Sequence, residues 1–343
     1  MKAVRLFGKE DLRVVDVGIP EPREGEVLIK AGAALICGTD VRMFKNGNSV
    51  QPVTLGHELA GTVAKIGPTV THYREGMRVA VAPNMGCGVC DYCVSGHTEL
   101  CSELQALGIN IDGGFADYFI VPAAAVRQGN IVEIADSVSF PEAAIAEPLS
   151  CVYNSFERCH TQPGDSVLVI GAGPIGLMHA KLHKLAGAGL VMIHDINESR
   201  LEICKRDDDT FETVGPDRPI ERIKELTSGR GADIVITAAS SAATQQLAFA
   251  VAAMNGRVVF FGGLPKGQEQ VSLDTNVIHY RMITVTGTSR QSLRQYRMCL
   301  KLIAQGTLDV RGIITGTAPL EKALEAIQNV IRGEGLKSGF VMA

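Results

Sequence analysis

The chain has no apolar run approaching the roughly 18 residues that a membrane-spanning helix needs. It also has no surplus of positive charge. Its 33 Lys and Arg stand against 37 Asp and Glu, a formal net charge of -4, which offers no basic field to nucleic acid or to an anionic membrane surface. There is no internal repeat and no low-complexity linker. The opening residues, MKAVRLFGKEDLRVV, alternate apolar and polar positions without a signal-peptide core, so they read as a first β-strand. What is present suits conventional cores: 46% hydrophobic against 20% charged residues is far from a disordered composition. A length of 343 residues favours two domains over one. Nine cysteines are an odd number, comfortable only where thiols stay reduced, and this predicts a cytoplasmic protein.

Four of those cysteines, Cys87, Cys90, Cys93 and Cys101, fall in the glycine-rich stretch MGCGVCDYCVSGHTELC with the spacing C-x2-C-x2-C-x7-C. Four thiolates so close in sequence match the tetrahedral sulfur preference of a closed structural zinc site. A disulfide pair needs an oxidising compartment that nothing here indicates. A [4Fe-4S] cluster is the sharper rival, but its bacterial signature places the fourth cysteine after three residues and follows it with proline. Here the gap is seven and Ser102 follows. The remaining cysteines are Cys37 and the scattered Cys151, Cys159, Cys204 and Cys299.

The first 140 or so residues have an all-β texture, with Val/Ile-rich runs at Val27 to Ile36, Val53 to Ile66, Arg78 to Ala82 and Phe115 to Val121. Helical spacing begins at Pro141. From Asp165 onward β-branched strands and amphipathic helices alternate, including a helix from about Ala242 to Met254, the signature of an α/β fold with a doubly wound, buried parallel sheet. After Thr288 a helix from Leu293 to Gln305, a strand, a helix from Leu320 to Arg332 and a last strand could extend that sheet or return to the first domain.

Gly171, Gly173 and Gly176 form G-x-G-x-x-G between the strand SVLVI and a helix. The first glycine permits the tight turn, the second lets backbone approach a pyrophosphate, and the third lets helix pack on strand. Asp195 ends the next strand, 24 residues after Gly171, where a carboxylate binds ribose hydroxyls and repels a 2'-phosphate, so NAD is expected rather than NADP. Asn197 is the better placed of the two to cap the following helix.

Cys37 in ICGTD, His57 and Glu58 in LGHELAG, and Glu147 in AEPLS offer the mixed sulfur, nitrogen and oxygen donors of a zinc that keeps an open position. Taken singly, a lone cysteine reads as a small buried hydrophobe and a lone histidine as a satisfied one. Their order lifts them. CGTD, GHE, the four-cysteine lobe, the EP dipeptide and GAGPIG together resemble the zinc-dependent medium-chain dehydrogenases, and most closely the sorbitol (polyol) dehydrogenase branch. The resemblance spans essentially the whole chain.

That resemblance implies a GroES-like catalytic domain over residues 1–150 and 289–343, with a structural-zinc lobe at 84–102, around a Rossmann NAD-binding domain at 151–288. It makes Cys37 and His57 fixed ligands of a catalytic zinc, with Glu58 and Glu147 completing the shell directly or through water. Thr39 would take the substrate proton. Pro174, Ile175, Asp195 and Arg200 would contact the dinucleotide. Gly262, Gly263 and Leu264, then Thr288, Ser289 and Arg290, fall in later cofactor loops, and Arg290 would also orient a polyol. Glu147 separates this branch from liver-type alcohol dehydrogenases, which use a second cysteine. Two departures stand out: Arg42 replaces a relay histidine of many relatives, and Met43 lies where sorbitol dehydrogenases have an aromatic.

The expected protein is therefore an enzyme with two zinc ions and NAD that oxidises a secondary alcohol of a polyol, phosphorylated or not, to a ketose. It would be a homo-oligomer, dimer or tetramer. L-threonine 3-dehydrogenases share CGTD, GHE, the lobe and the Asn-Glu-x-Arg-Leu-Glu run, while AEPLS favours the polyol branch. A non-catalytic NAD-binding protein, like the quinone-reductase-like crystallins, would lack the metal ligands. His179 and His183 stand at i, i+4 but without the intervening glutamate of a metalloprotease helix, and they lie on the helix opened by the phosphate loop, so no metal is expected there. Asp207 to Asp209 read as a solvated loop.

Overall fold

The computed structural model describes residues 1–342 and divides into two compact units: Met1–Ser150 with the chain from Gln291 onward, and Cys151–Arg290. In the first unit a seven-stranded sheet runs in the order Ile131–Glu133, Arg78–Val81, Glu58–Ile66, Val27–Leu35, Lys337–Val341 and Ile314–Ala318, with Tyr118–Val121 also pairing to Val27–Leu35. The C-terminal tail therefore returns to the first domain. Its last strand lies antiparallel against Val27–Leu35, pairing Gly339 with Leu35 and Phe340 with Ala34. The central strand VLIKAGAAL is buried at every position but Lys30, as a strand covered on both faces must be.

The run Val53 to Ile66 is not one strand. Val53–Thr54 joins a small sheet with Lys2–Gly8 and Asp11–Asp16, and Glu58–Ile66 joins the large one. Gly56 makes the change of direction at φ +93, where an added Cβ would meet the Phe115 ring at 2.3 Å. Phe115 in turn meets Phe340 edge-on at 4.8 Å between centroids, so the C-terminal strand and the Gly56 turn share one core.

The second unit carries a six-stranded sheet ordered Glu212–Val214, Leu190–His194, Ser166–Ile170, Ala232–Thr237, Ala252–Phe260 and Thr284–Gly287, parallel throughout. Leu168 and Ile170 pack into one apolar cluster and Val167 and Val169 into another, the two faces that alternation along a strand produces. The helix expected to reach Met254 stops at Val251, and Ala252 already pairs with Ala232. The register slips before Ile234 pairs with Arg257, and Asn255, at φ 57, takes up the excess chain with Gly256. Pairing with the sheet overrides the helical pattern of the alanines there. Among the described residues, no helix is long and apolar enough to cross a membrane.

His179 and His183 lie on the helix Pro174–Leu185 and are fully buried, their rings stacked 6.0 Å apart. His183 Nδ1 meets Thr161 Oγ1 at 2.7 Å, whereas neither nitrogen of His179 has a protein partner. Burial, followed by the nearby Arg257 charge, pushes His183 down to about 3. Burial and then His183 hold His179 well below its usual value. The folded unit thus binds fewer protons than the unfolded chain. This stability is fully present above the ordinary histidine pKa near 6.5 and is lost as pH falls through the depressed values. His179→Leu, which orphans nothing, is expected to lose less of its urea midpoint than wild type between about pH 7 and pH 5. Equal losses would show that the imidazole does not set this sensitivity.

Candidate active site and metal centres

Cys37 follows the central strand and caps the helix Gly38–Asn46. Asp40, three residues on, closes the cap by accepting from Cys37 N–H at 2.8 Å through Oδ2. Its other oxygen, Oδ1, accepts from Gly56 N–H at 3.4 Å and stands 3.6 Å from His57 Nδ1. One fully buried carboxylate thus fixes both the cysteine turn and the histidine turn. It was missed as a functional residue, although the C-x-x-D spacing inside CGTD carried the signal of a capping box.

Cys37, His57 and Glu58 bring one donor atom each within 4.8 Å of one another. His57 and Glu58 are buried, and Glu58 Oε2 has no protein partner. Buried polar atoms normally find partners, and a cation is the partner that this sulfur, nitrogen and oxygen set fits. Burial opposes charging of His57, but Asp40 and Cys37 outweigh it and hold the imidazole well above its usual range, which again marks a pocket built for positive charge.

Glu147 stands in the first turn of the helix Ala146–Cys159 and is buried. It lies outside the three-donor cluster, yet its charge is felt with those of His57, Glu58 and Lys337. Burial first, then Glu58, raise its carboxyl to about 7 against the lowering by His57, Lys337 and the Gln291 amide, whose Nε2 donates to Oε1 at 3.1 Å. Thr39 lies in the first turn of the helix that Cys37 caps, with Arg42 Nη2 at 3.5 Å from its hydroxyl.

The four cysteines Cys87, Cys90, Cys93 and Cys101 place their sulfurs within 4.8 Å of one another, gathered by the short helix Asp91–Val94 and the 3-10 turn Thr98–Leu100. Backbone N–H groups of Val89 and Cys90 lower Cys87 to about 7, while burial and the neighbouring thiols push Cys93 up to about 12. Four thiols so close cannot all ionise without a cation among them, and a closed zinc site supplies it.

The residues expected to contact a dinucleotide cluster at the C-terminal ends of the parallel strands. Gly171 leaves Ser166–Ile170 at φ +120, and a Cβ on Gly176 would lie 1.7 Å from Gly171 O, so only glycine lets the helix start so close to the strand. Gly173 caps that helix, with Pro174 and Ile175 in its first turn. Asp195 follows Leu190–His194 and is tied to the glycine loop, its Oδ2 accepting from Ala172 N–H at 2.7 Å and Oδ1 from Asn197 N–H at 2.9 Å. Asn197, as its position suggested, caps the next helix by accepting from Arg200 N–H. Arg200 is half-buried, and its Nε has no protein partner.

Gly262 follows Ala252–Phe260, and a Cβ there would lie 2.9 Å from Ala239 O; Gly263 and Leu264 come next. Thr288 follows Thr284–Gly287 and donates its N–H to Phe260 O at 3.3 Å. Asn154 Nδ2 donates to the carbonyls of Ser289 and Arg290 at 3.4 and 3.0 Å, holding Arg290 in a left-handed turn at φ 59. This row of loops outside the carboxyl ends of a parallel sheet is where such folds bind dinucleotides.

Comparison with known proteins agrees with this geometry. Residues 23–133 match the alcohol dehydrogenase GroES-like domain and residues 174–305 the zinc-binding dehydrogenase family. The chain is 32% identical over 339 residues to sorbitol dehydrogenase of Bacillus subtilis (strain 168), covering 97% of this chain and 94% of that one. It is 34% identical over 315 residues to L-threonine 3-dehydrogenase of Bacillus velezensis (strain DSM 23117 / BGSC 10A6 / LMG 26770 / FZB42), covering 89% and 88%. A Sinorhizobium meliloti 1021 protein described as a zinc-binding dehydrogenase, bound to NADP, superposes with a TM-score of 0.90 at 32% identity over 99% of each chain. The chain belongs to the zinc-dependent medium-chain dehydrogenases, in their polyol-dehydrogenase branch. It is an alcohol dehydrogenase that works with zinc and a nicotinamide dinucleotide.

The two donor sets differ in how firmly they hold metal. A closed four-sulfur site couples metal to folding, whereas an open site exchanges more readily. Purified protein is expected to contain two zinc ions per chain. A chelator should remove one together with activity while the other stays and the fold is kept. Elemental analysis showing iron, or a single zinc in fully active enzyme, would contradict the assignment.

Proposed function

We propose that the enzyme oxidises a secondary alcohol, C2 of an acyclic polyol, to a ketose with NAD as acceptor. The buried cluster of Cys37, His57 and Glu58, with Glu147 electrostatically coupled to it, is the observation that carries this reading. When bound, zinc would supply the Lewis acidity that lowers the pKa of an alcohol hydroxyl, and NAD would supply the hydride acceptor. The protein's own groups do the rest. Cys37 and His57 fix the position of the metal, and Asp40 holds both of their turns. Thr39 takes the hydroxyl proton. Arg42 cannot relay it further, because a guanidinium stays charged and has no acceptor site, so the proton passes from Thr39 to solvent at the exposed helix end. Glu147 offers a carboxylate acceptor to a second hydroxyl, which a vicinal diol has and ethanol lacks.

Asp195 supports NAD over NADP, since a carboxylate anchored to the glycine loop repels a 2'-phosphate. The relation to a threonine dehydrogenase keeps that amino acid as the second reading. The test is kcat/KM for a polyol, its phosphate, L-threonine and ethanol, each with NAD and NADP. The polyol or its phosphate with NAD is expected to be best, and Asp195→Ala should narrow the NAD preference by weakening NAD use. Highest efficiency with threonine or ethanol, or a wild-type preference for NADP, would overturn the substrate or the cofactor reading respectively.

The odd count of nine cysteines supports a reducing, cytoplasmic setting. The strand Thr284–Gly287 is a sheet edge near the exposed Tyr280, Met282 and Val285. An edge with apolar neighbours is a template for pairing and supports a homo-oligomer, dimer or tetramer. Sedimentation velocity is expected to show one of these, and a monomer would refute the inference.

A further inference from the structure

Lys337 has no part in the chemistry above, yet it is buried beside it. It opens the last strand, its side chain is 5% exposed, and its Nζ lies 2.5 Å from Glu58 Oε1. The sheet register accounts for the meeting. Glu58 pairs with Leu35 from one side of the central strand, and Gly339 pairs with the same Leu35 from the other. Glu58, Cys37 and Lys337 therefore emerge at one edge of three adjacent strands. The ammonium charge faces Glu58, Cys37 and Glu147. With one Glu58 oxygen engaged, the other, Oε2, is left buried without a protein partner.

We propose that Lys337 is a positioning residue that engages Glu58 Oε1, so that the carboxylate meets the metal through one oxygen and leaves a coordination position for substrate. A catalytic zinc needs that open position, and it can expand from four to five ligands. A carboxylate can ligate through one oxygen or two. Without Lys337, a buried Glu58 has a free second oxygen whose best remaining partner is the cation, and the site also loses a positive charge that opposes zinc. Both effects act the same way: the metal is held more tightly and the substrate position is filled. The inference rests on the reading of Cys37, His57 and Glu58 as the catalytic-zinc site.

The experiment uses the full-length enzyme, with cobalt(II) exchanged into the labile site and zinc retained in the cysteine lobe. Lys337→Met is expected to lose its labile metal to a chelator more slowly than wild type. Its visible cobalt bands should weaken as the ion gains a fifth ligand, and kcat should fall about tenfold or more, the usual scale for loss of a group that orients a ligand. Lys337→Arg, which keeps charge and donors, should restore most of the wild-type spectrum and turnover. Should Lys337→Met not fold, Lys337→Gln carries the same expectations at reduced size. Faster metal loss from the variant, or an unchanged cobalt spectrum whatever the turnover, would overturn the proposal while leaving the site reading intact. Wild-type enzyme that binds neither zinc nor cobalt outside the cysteine lobe would bring down the site reading and this inference together.

Discussion

A carboxylate sealed inside a protein must meet positive charge or give up its own. Glu58 is fully buried, and the edge of the large sheet is arranged around that demand. Lys337 answers one of its oxygens, and the donors of Cys37 and His57 gather beside it. Breaking a buried pair by removing one partner typically costs about 3–5 kcal/mol, because the charge left behind has no compensation. The strand that carries Lys337 comes from the far end of the chain. The ion pair therefore ties the closing of the catalytic unit to the making of its site: the tail must dock before Glu58 has its partner. Asp40 does the same over a shorter span, binding the Cys37 turn and contacting the Gly56–His57 turn with one carboxylate.

The second unit works under a different constraint. The residues proposed to hold its cofactor come from loops scattered over more than a hundred positions of sequence. A parallel sheet brings them together because every strand ends on the same side. Gly171, Asp195, Gly262 and Thr288 each follow a strand of that sheet. The hydrogen bond from Ala172 N–H to Asp195 is a local consequence: the turn proposed to receive a pyrophosphate and the carboxylate proposed to read a ribose are held as one piece.

Much of this was legible in the sequence because the decisive patterns are short. A glycine loop between a β-branched strand and a helix, a four-cysteine lobe, and an aspartate at the end of the next strand each declare themselves within some thirty residues. What stayed hidden depends on contacts distant in sequence. Nothing local to KSGFVMA says that Lys337 sits against Glu58; only the pairing of the last strand with the central one does. Composition could not say whether the tail rejoins the first domain, since its helices and strands suit either sheet. The helix expected through Met254 was lost to strand pairing, and the run Val53 to Ile66 was divided at Gly56 between two sheets, in each case by a tertiary partner that periodicity does not contain. Asp40 was visible but read only as part of a motif, although its spacing from Cys37 marked a cap.

The central claim is that Cys37, His57 and Glu58 surround one metal ion and the four-cysteine lobe another. Anomalous X-ray scattering from crystals of the native enzyme, collected on either side of the zinc absorption edge, tests it most directly. Two zinc peaks per chain are expected, one among the sulfurs of Cys87, Cys90, Cys93 and Cys101 and one in contact with Cys37, His57 and a single oxygen of Glu58. A peak confined to the cysteine lobe, with the Cys37–His57–Glu58 cluster empty in active enzyme, would contradict the account.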